Sequence, residues 1–199
     1  SAASDVYKRQ VKGLREQSEK AVKEQLEGKQ PLDIINAEMI PALDYVGKGF
    51  EERRIFLPQL LMSAEAAKVA FNVIRDKMAA EGGSQSNGIK VILATVKGDI
   101  HDIGKNIVKV LLENYGYDVY DLGKDVPPEL IVETLKENDI HICGLSALMT
   151  TTVVSMEDTI KAIRAAGLDT KVWVGGAVLT QEYADMIGCL LYTSDAADE

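Results

Sequence analysis

The sequence predicts an α/β protein, in which an N-terminal four-helix bundle is followed by a doubly wound parallel sheet. Apolar residues recur at intervals of three and four up to about residue 80, as in amphipathic helices. Beyond residue 88, short apolar runs alternate with amphipathic ones. Strands that alternate with helices of this length form parallel sheets.

The first part, residues 11–80, is predicted to fold as a small bundle. Three breaks that contain glycine or proline, at residues 28–31, 47–49 and 57–58, divide it into about four short helices. The apolar residues Leu60 and Leu61 are expected in the core of this bundle.

Residues 81–88 are small and polar, include three glycines, and are predicted to be a flexible linker. An α/β domain is then expected over residues 89–188. Ligands of doubly wound sheets bind at the carboxyl ends of the strands, near the point where the strand order reverses. Candidate sites are therefore expected in the loops after Val96, Leu145 and Val174.

The composition excludes several classes of partner. A formal net charge of −9 argues against nucleic acid and anionic membranes, which bind basic surfaces. The sequence shows neither an apolar run long enough to span a bilayer nor a signal-like start, so a cytoplasmic location is expected. Cys143 and Cys189 form no CxxC pair, so neither a zinc knuckle nor a disulfide framework is expected.

The loop after Val96 holds Asp99, His101 and Asp102 in a turn bounded by glycines. In an extended segment, Asp99 and His101 project to the same side. The carboxylate can then accept the imidazole N–H and leave the other ring nitrogen as a ligand. The alternative, favoured for an isolated Asp-x-His pattern, is that an aspartate caps the helix beginning near Ile103 while His101 is solvated.

The other two loops carry hydroxyl groups and glycines. The hydroxyls after Leu145 can bind a polar ligand or cap the next helix, which needs only one or two of them. They belong to Ser146, Thr150, Thr151 and Thr152. The pair Gly175-Gly176 permits a tight turn or the close approach of a bulky ligand.

His141 begins an apolar strand at the opposite end of the predicted sheet, where a structural role is expected. It is one of two histidines in the chain, and His101 is expected at the other edge. A metal site built from side chains alone is therefore not expected, and a metal would have to arrive with a cofactor.

Three short patterns, taken together, resemble the signature of cobalamin-binding domains that carry the cofactor with its benzimidazole displaced. They are Asp99-x-His101-x-x-Gly104, Ser146-x-Leu148 and Gly175-Gly176. Residues 96–106 are similar to the corresponding stretch of cobalamin-dependent methionine synthases, and free-standing corrinoid proteins share much of it. Residues 56–59 resemble the helical cap of these proteins, so the resemblance spans about residues 11–188.

The resemblance implies a Rossmann-like cobalamin domain and a role for each matching residue. His101 would be the axial ligand to cobalt, and Asp99 would hold it. Thr152 stands where the family has a serine that completes a relay to solvent, and this relay would take up a proton when the imidazole leaves cobalt. The residues implied to contact the cofactor are His101, Asp102, Ile103, Gly104, Ser146, Leu148, Thr150, Gly175, Gly176 and, from the cap, Phe56.

The implied function is that of a methyl carrier, which is not catalytic alone and whose cofactor is cobalamin in the form of methylcobalamin. Methionine synthase is the leading type, with homocysteine- and methyltetrahydrofolate-binding domains and a reductive activation partner. A free-standing corrinoid protein of a methanol or methylamine system, and a cobalamin-dependent sensor, remain alternatives. A mutase subunit remains less favoured. A receiver domain would need an aspartate in place of Ser146, and a flavin carrier would leave His101 without a role.

Residues 1–10 and 189–199 fall outside the resemblance. They are predicted to be non-native or unstructured ends, with the reservation that Leu190-Leu191-Tyr192 could form a fifth strand.

Overall fold

A computed structural model describes residues 2–82, 85–176 and 179–191. The chain divides into two compact units, residues 1–83 and residues 84–199. Within the described ranges, none of the helices has the length and apolar character needed to cross a bilayer.

The first unit is helical. Its elements are α1 (Ala2–Leu26), α2 (Pro31–Ile34), a π-helical segment (Ile35–Met39), α3 (Ile40–Glu51) and α4 (Leu57–Glu81). The π-helical segment ends just before Pro41, which has no backbone N–H to continue the regular α-helical pattern. Ile34, Ile35, Phe71 and Ile74 are buried in the core of this unit. The Ser18 hydroxyl also donates to the carbonyl of Ala66 at 2.8 Å, so α1 and α4 are joined by packing and by a hydrogen bond.

The helix break predicted at residues 47–49 is wrong, because α3 continues through both glycines to Glu51. Gly49 is buried, and a Cβ added to it would lie 2.7 Å from Cδ1 of Ile55. Glycine therefore allows the turn after α3 to pack closely against the helix. The helix ends instead before Arg53, which adopts a φ of 60°.

The ends of the chain also differ from expectation. Residues 2–10 lie within α1, because they contain no proline and include several good helix formers, so the lack of apolar periodicity does not stop the helix. Leu190–Leu191 form the short fifth strand that the sequence left open. Tyr192 and the residues after it lie outside the described residues.

The second unit is a five-stranded parallel sheet with helices between its strands, which confirms the predicted α/β fold. Its strands are β1 (Lys90–Val96), β2 (Asp118–Val126), β3 (Ile142–Ser146), β4 (Lys171–Gly175) and β5 (Leu190–Leu191). Its helices are α5 (Ile103–Asn114), α6 (Pro128–Glu137), α7 (Thr150–Ala165) and α8 (Gln181–Met186).

The strand order is β2-β1-β3-β4-β5, so the order reverses between β1 and β3. The central strand β1 is buried from Val91 to Val96, as expected for a strand covered on both faces. Thr95 of β1 lies opposite Ser146 of β3, and Ser146 lies opposite Gly175 of β4. This register brings the three predicted loops to the same edge of the sheet.

Residues 85–89 are attached to the second unit. The backbone N–H of Asn87 donates to the carbonyl of Gly116 at 2.7 Å, and the Ser86 hydroxyl donates to the carboxylate of Asp118 at 2.9 Å. Because α4 extends to Glu81, the predicted linker at residues 81–88 contains one helical residue and a stretch bonded to the sheet unit. Residues 83 and 84, also within that linker, lie outside the described residues.

Candidate functional site

The loop between β1 and α5 brings a carboxylate and an imidazole into direct contact. Oδ1 of Asp99 lies 2.9 Å from Nδ1 of His101 and also accepts from the His101 backbone N–H at 2.9 Å. The ring therefore donates from Nδ1, which leaves Nε2 as the nitrogen that can bind a metal. The His101 side chain is 44% exposed, so Nε2 belongs to an accessible ring.

Asp99 joins the loop after β1 to the loop after β3. Its second oxygen, Oδ2, accepts from the backbone N–H of Leu148 at 2.8 Å and from the hydroxyl of Thr152 at 2.7 Å. Asp99 is completely buried, so each of its oxygens needs these donors in place of water. The carboxylate thus has a fixed position between His101 and Thr152.

The hydrogen bonds decide the charge of Asp99. Burial raises the pKa of this carboxyl, but the Thr152 hydroxyl, the backbone N–H groups of His101 and Leu148 and the His101 ring together lower it to about 2. Asp99 is therefore an anion at neutral pH. A fixed anion beside Nδ1 keeps the proton on that nitrogen and leaves the lone pair of Nε2 free for a metal.

The capping alternative does not hold at this loop. Asp102 directly precedes α5, but its side chain makes no capping hydrogen bond. The carboxylate of Asp99 is occupied by His101, Leu148 and Thr152.

The hydroxyl groups predicted after β3 separate into different environments. Thr152 alone among them bonds to Asp99 within the described contacts, and its hydroxyl also lies 2.9 Å from the carbonyl of Met149. Ser146 pairs with the hydroxyl of Thr95 at 2.8 Å. Thr150 and Thr151 are exposed in the first turn of α7.

Gly176 is required by the protein's own backbone. A Cβ at this position would lie 1.8 Å from the carbonyl oxygen of Ala147. The backbone N–H of Ala147 in turn donates to the carbonyl of Gly175 at 3.1 Å. The glycine pair therefore allows the loops after β3 and β4 to approach each other closely.

Phe56 belongs to the helical unit and is 65% exposed. Its backbone N–H donates to the side chain of Gln59 at 2.8 Å, which caps the start of α4. Leu61 is exposed on the same helix, so the prediction that it lies in the core is wrong, because the buried positions of α4 fall further along, at Ala70, Phe71 and Ile74.

Exposed apolar side chains lie on the His101 loop, at Ile100, and on the loop after β3, at Leu148 and Met149. An accessible imidazole nitrogen on a loop edge with exposed apolar groups fits a metal carried in a large, partly apolar macrocycle. Ile103 and Gly104 begin α5 beside this loop.

His141 lies outside this constellation. It precedes β3 at the opposite edge of the sheet, where its Nε2 is 3.1 Å from Oδ1 of Asp139. Both side chains are exposed, so the predicted structural role reduces to a contact at the surface.

Sequence reasoning missed two residues at the site. Thr95 is completely buried, and only the register of β1 against β3 shows that it meets Ser146. Asp125, at the end of β2, accepts from the backbone N–H of Gly98 at 2.7 Å. Its position in an Asp-Val-Pro run gave no sign of this contact.

Comparisons with known proteins agree on one family. Two models described as B12 binding domain match residues 89–197 and residues 3–75. The chain is 38% identical over 170 residues to dimethylamine corrinoid protein 1 of Methanosarcina acetivorans, covering 84% of this chain and 79% of the relative.

Two solved structures extend this similarity. The monomethylamine corrinoid protein of Methanosarcina barkeri aligns with a TM-score of 0.76 at 29% identity, covering 94% of this chain and 92% of that one. A chain of the methanol:cobalamin methyltransferase complex MtaBC, also from Methanosarcina barkeri, aligns with a TM-score of 0.53 at 28% identity, covering 98% of this chain and 78% of that one.

Proposed function

This chain belongs to the B12-binding domain family and takes cobalamin as its cofactor, and we propose that it carries a methyl group for a methylamine-type methyltransferase system. The observation that carries this proposal is the buried carboxylate of Asp99, which joins His101 to Thr152. When bound, the cofactor supplies a cobalt centre that accepts a methyl group and gives it up.

The relatives favour a free-standing corrinoid protein of a methanol or methylamine system over a methionine synthase. They are named as dimethylamine and monomethylamine corrinoid proteins and as part of a methanol:cobalamin methyltransferase complex. We therefore propose methylamine methyltransferase subunits as partners, in place of homocysteine- and methyltetrahydrofolate-binding domains. A methanol methyltransferase is the second candidate, and a reductive activation partner remains part of the proposal.

In this proposal Nε2 of His101 would hold the cobalt of the bound cofactor. Asp99 fixes the ring by accepting from Nδ1, and its own position is fixed by Leu148 and Thr152. With no metal at Nε2, that nitrogen would be the place where the ring holds a second proton, beside the Asp99 anion at Nδ1.

The remaining predicted contacts are proposed to line the cofactor. Ile103 and Gly104 begin α5 beside Asp102, in the same loop region as His101. Ser146, Leu148 and Thr150 would face the nucleotide tail, with Gly175 and Gly176 on the neighbouring loop. Phe56, in the helical unit, stays a predicted contact of the cofactor.

Binding of methylcobalamin to the purified protein tests the cofactor site. We expect one equivalent to bind with a spectrum typical of an imidazole ligand and a displaced benzimidazole. His101→Gly should lose the imidazole-ligated spectrum, whereas the matched variant His141→Gly should keep it. A benzimidazole-ligated spectrum in the unmodified protein would contradict the proposal.

Methyl transfer from defined donors tests the partner. The loaded, reduced protein would be mixed with a purified dimethylamine, monomethylamine, methanol or methyltetrahydrofolate methyltransferase and its substrate, and methylation followed spectroscopically. We expect methylation with a methylamine enzyme. Methylation with the methanol enzyme alone would favour the second candidate, and methylation only from methyltetrahydrofolate would restore the methionine synthase interpretation.

A further inference from the structure

Asp125 contacts the His101 loop through two hydrogen bonds that run in opposite directions. Its carboxylate Oδ1 accepts from the backbone N–H of Gly98 at 2.7 Å. Its own backbone N–H donates to the carbonyl of Asp99 at 3.0 Å. One residue at the end of β2 thus holds two consecutive residues of the neighbouring loop.

The backbone of Asp125 is in an unusual conformation, with a φ of 55°. Aspartate tolerates this left-handed region better than most residues, but the conformation still carries a cost relative to extended backbone. Gly98 also has a positive φ, of 84°. The contact therefore joins two turns, at Gly98 and at Asp125, and each turn depends on a positive φ.

The strand that presents Asp125 is itself anchored. Pairing between β1 and β2 is irregular from Leu93 onward, and Gly123 lies within the irregular stretch. Oδ1 of Asp121 accepts from the backbone N–H of Gly123 at 2.9 Å and from Nζ of Lys105 at 2.6 Å. The Lys105 side chain is buried in the first turns of α5, so the end of β2 is tied to the helix that follows the His101 loop.

We propose that Asp125 is a positioning residue for His101, which acts by fixing the Gly98–Asp99 segment from the side of β2. The carboxylate of Asp99 can meet the His101 ring, Leu148 and Thr152 only while its own backbone holds its place. The Asp125 carboxylate is an anion accepting from a backbone N–H, so this bond is charge-assisted. The consequence for cobalt ligation rests on the proposed cobalamin function, whereas the effect on the His101 ring does not.

Two substitutions separate the carboxylate from the backbone conformation. Asp125→Gly removes the acceptor for Gly98 but accommodates the positive φ and keeps the backbone N–H. Asp125→Asn keeps an oxygen that can accept from Gly98 and also tolerates the positive φ. Asp139→Gly is the matched control, because Asp139 has a φ of 52° and lies beside His141 at the other edge of the sheet.

Nuclear magnetic resonance of the protein without cofactor gives the direct readout, because the chain has only two histidines. Nitrogen shifts of the rings report which nitrogen carries the proton, and amide exchange reports the Gly98 N–H. In Asp125→Gly we expect His101 to lose part of its Nδ1–H form and Gly98 to exchange about tenfold faster, with His141 unchanged. Asp125→Asn should resemble the unmodified protein, and Asp139→Gly should alter His141 alone.

Three outcomes would overturn the proposal: unchanged His101 and Gly98 signals in Asp125→Gly, equal changes at both histidines, or an Asp125→Asn variant as perturbed as Asp125→Gly. With methylcobalamin bound, Asp125→Gly should also show a smaller fraction of the imidazole-ligated spectrum. If the unmodified protein binds no cobalamin, the proposed function fails while the result without cofactor still decides the role of Asp125.

Discussion

The chain contains two Asp-x-His pairs with identical spacing, and the structure places them in opposite environments. Asp99 is completely buried and contacts Nδ1 of His101, whereas the Asp139 side chain is 91% exposed and contacts Nε2 of His141. The first pair follows β1 at the carboxyl edge of the sheet, and the second precedes β3 at the other edge.

The difference shows that spacing brings a carboxylate and an imidazole together but does not make a functional pair. What distinguishes Asp99 is a second set of donors, the Leu148 N–H in the loop after β3 and the Thr152 hydroxyl in the first turn of α7. These donors allow the carboxylate to be buried as an anion and to fix one ring nitrogen. No described hydrogen bond of this kind supports Asp139.

Matched substitutions should separate the two pairs most strongly. Asp99→Asn places an amide N–H₂ group among buried donors, and we expect a loss of about 2–3 kcal/mol in the free energy of unfolding. Asparagine at position 139 tolerates the same backbone conformation on the surface. Asp139→Asn should therefore change the free energy of unfolding by less than about 0.5 kcal/mol. Urea unfolding at neutral pH measures both, and equal losses would remove the distinction.

Acid should reduce the stability contributed by the buried Asp99–His101 pair within a defined pH range. Because the pKa of Asp99 is lowered to about 2 from 3.8, its contribution to stability is fully present above pH 4 and is lost as the pH falls through about 2. The stability difference between the unmodified protein and Asp99→Asn should therefore be constant from pH 7 to pH 5 and shrink by about 2 kcal/mol in stronger acid. Urea titrations at several pH values test this, and a constant difference down to pH 2.5 would contradict it.

Removal of the Thr152 hydroxyl should leave the Asp99 carboxylate with fewer hydrogen-bond donors, as is the case for Asp139. Thr152→Val keeps the shape of the side chain but leaves Oδ2 with one donor fewer, and should cost about 1–2 kcal/mol. Thr152→Ser keeps the hydroxyl and should cost less than about 1 kcal/mol, mainly from the lost methyl group. Thermal unfolding of both variants is the measurement. A serine variant as unstable as the valine variant would show that the methyl group contributes as much to stability as the hydroxyl and would contradict this prediction.

The smallest effect is expected at the exposed pair. His141→Ala removes one partner of an exposed surface contact and should change the free energy of unfolding by less than about 0.5 kcal/mol. The spectrum with methylcobalamin should stay unchanged. Loss of imidazole ligation in this variant would transfer the ligand role from His101 to His141.

The sequence predicted much of the fold because its patterns are local. Short apolar runs that alternate with amphipathic ones predicted the strands and the edge of the sheet where ligands bind. The spacing of Asp99 and His101 within one loop predicted their contact. The contact of Asp99 with Thr152 came from the resemblance, since Asp99 lies in the loop after β1 and Thr152 in the first turn of α7. The helix break predicted at Gly47 and Gly49 was wrong, because α3 continues through both residues, and the close approach of Ile55 to Gly49 does not show in the local sequence.

Other features depend on relations that no local pattern contains. The pairing of Thr95 with Ser146 requires the register of β1 against β3, and the contact of Asp125 with Gly98 requires the irregular pairing of β2. The need for glycine at 176 appears only when the carbonyl of Ala147 is placed beside it.

The hydroxyl of Thr152 has one proton and two acceptors within reach, Oδ2 of Asp99 at 2.7 Å and the carbonyl of Met149 at 2.9 Å. While Asp99 is an anion, the hydroxyl can donate a hydrogen bond to the carboxylate. If Oδ2 becomes protonated, the hydroxyl can rotate to donate to the carbonyl of Met149, and its oxygen can accept a hydrogen bond from the new O–H of Asp99. Either charge state of Asp99 thus finds a complete set of hydrogen bonds, and the change between them needs only the turn of one C–O bond.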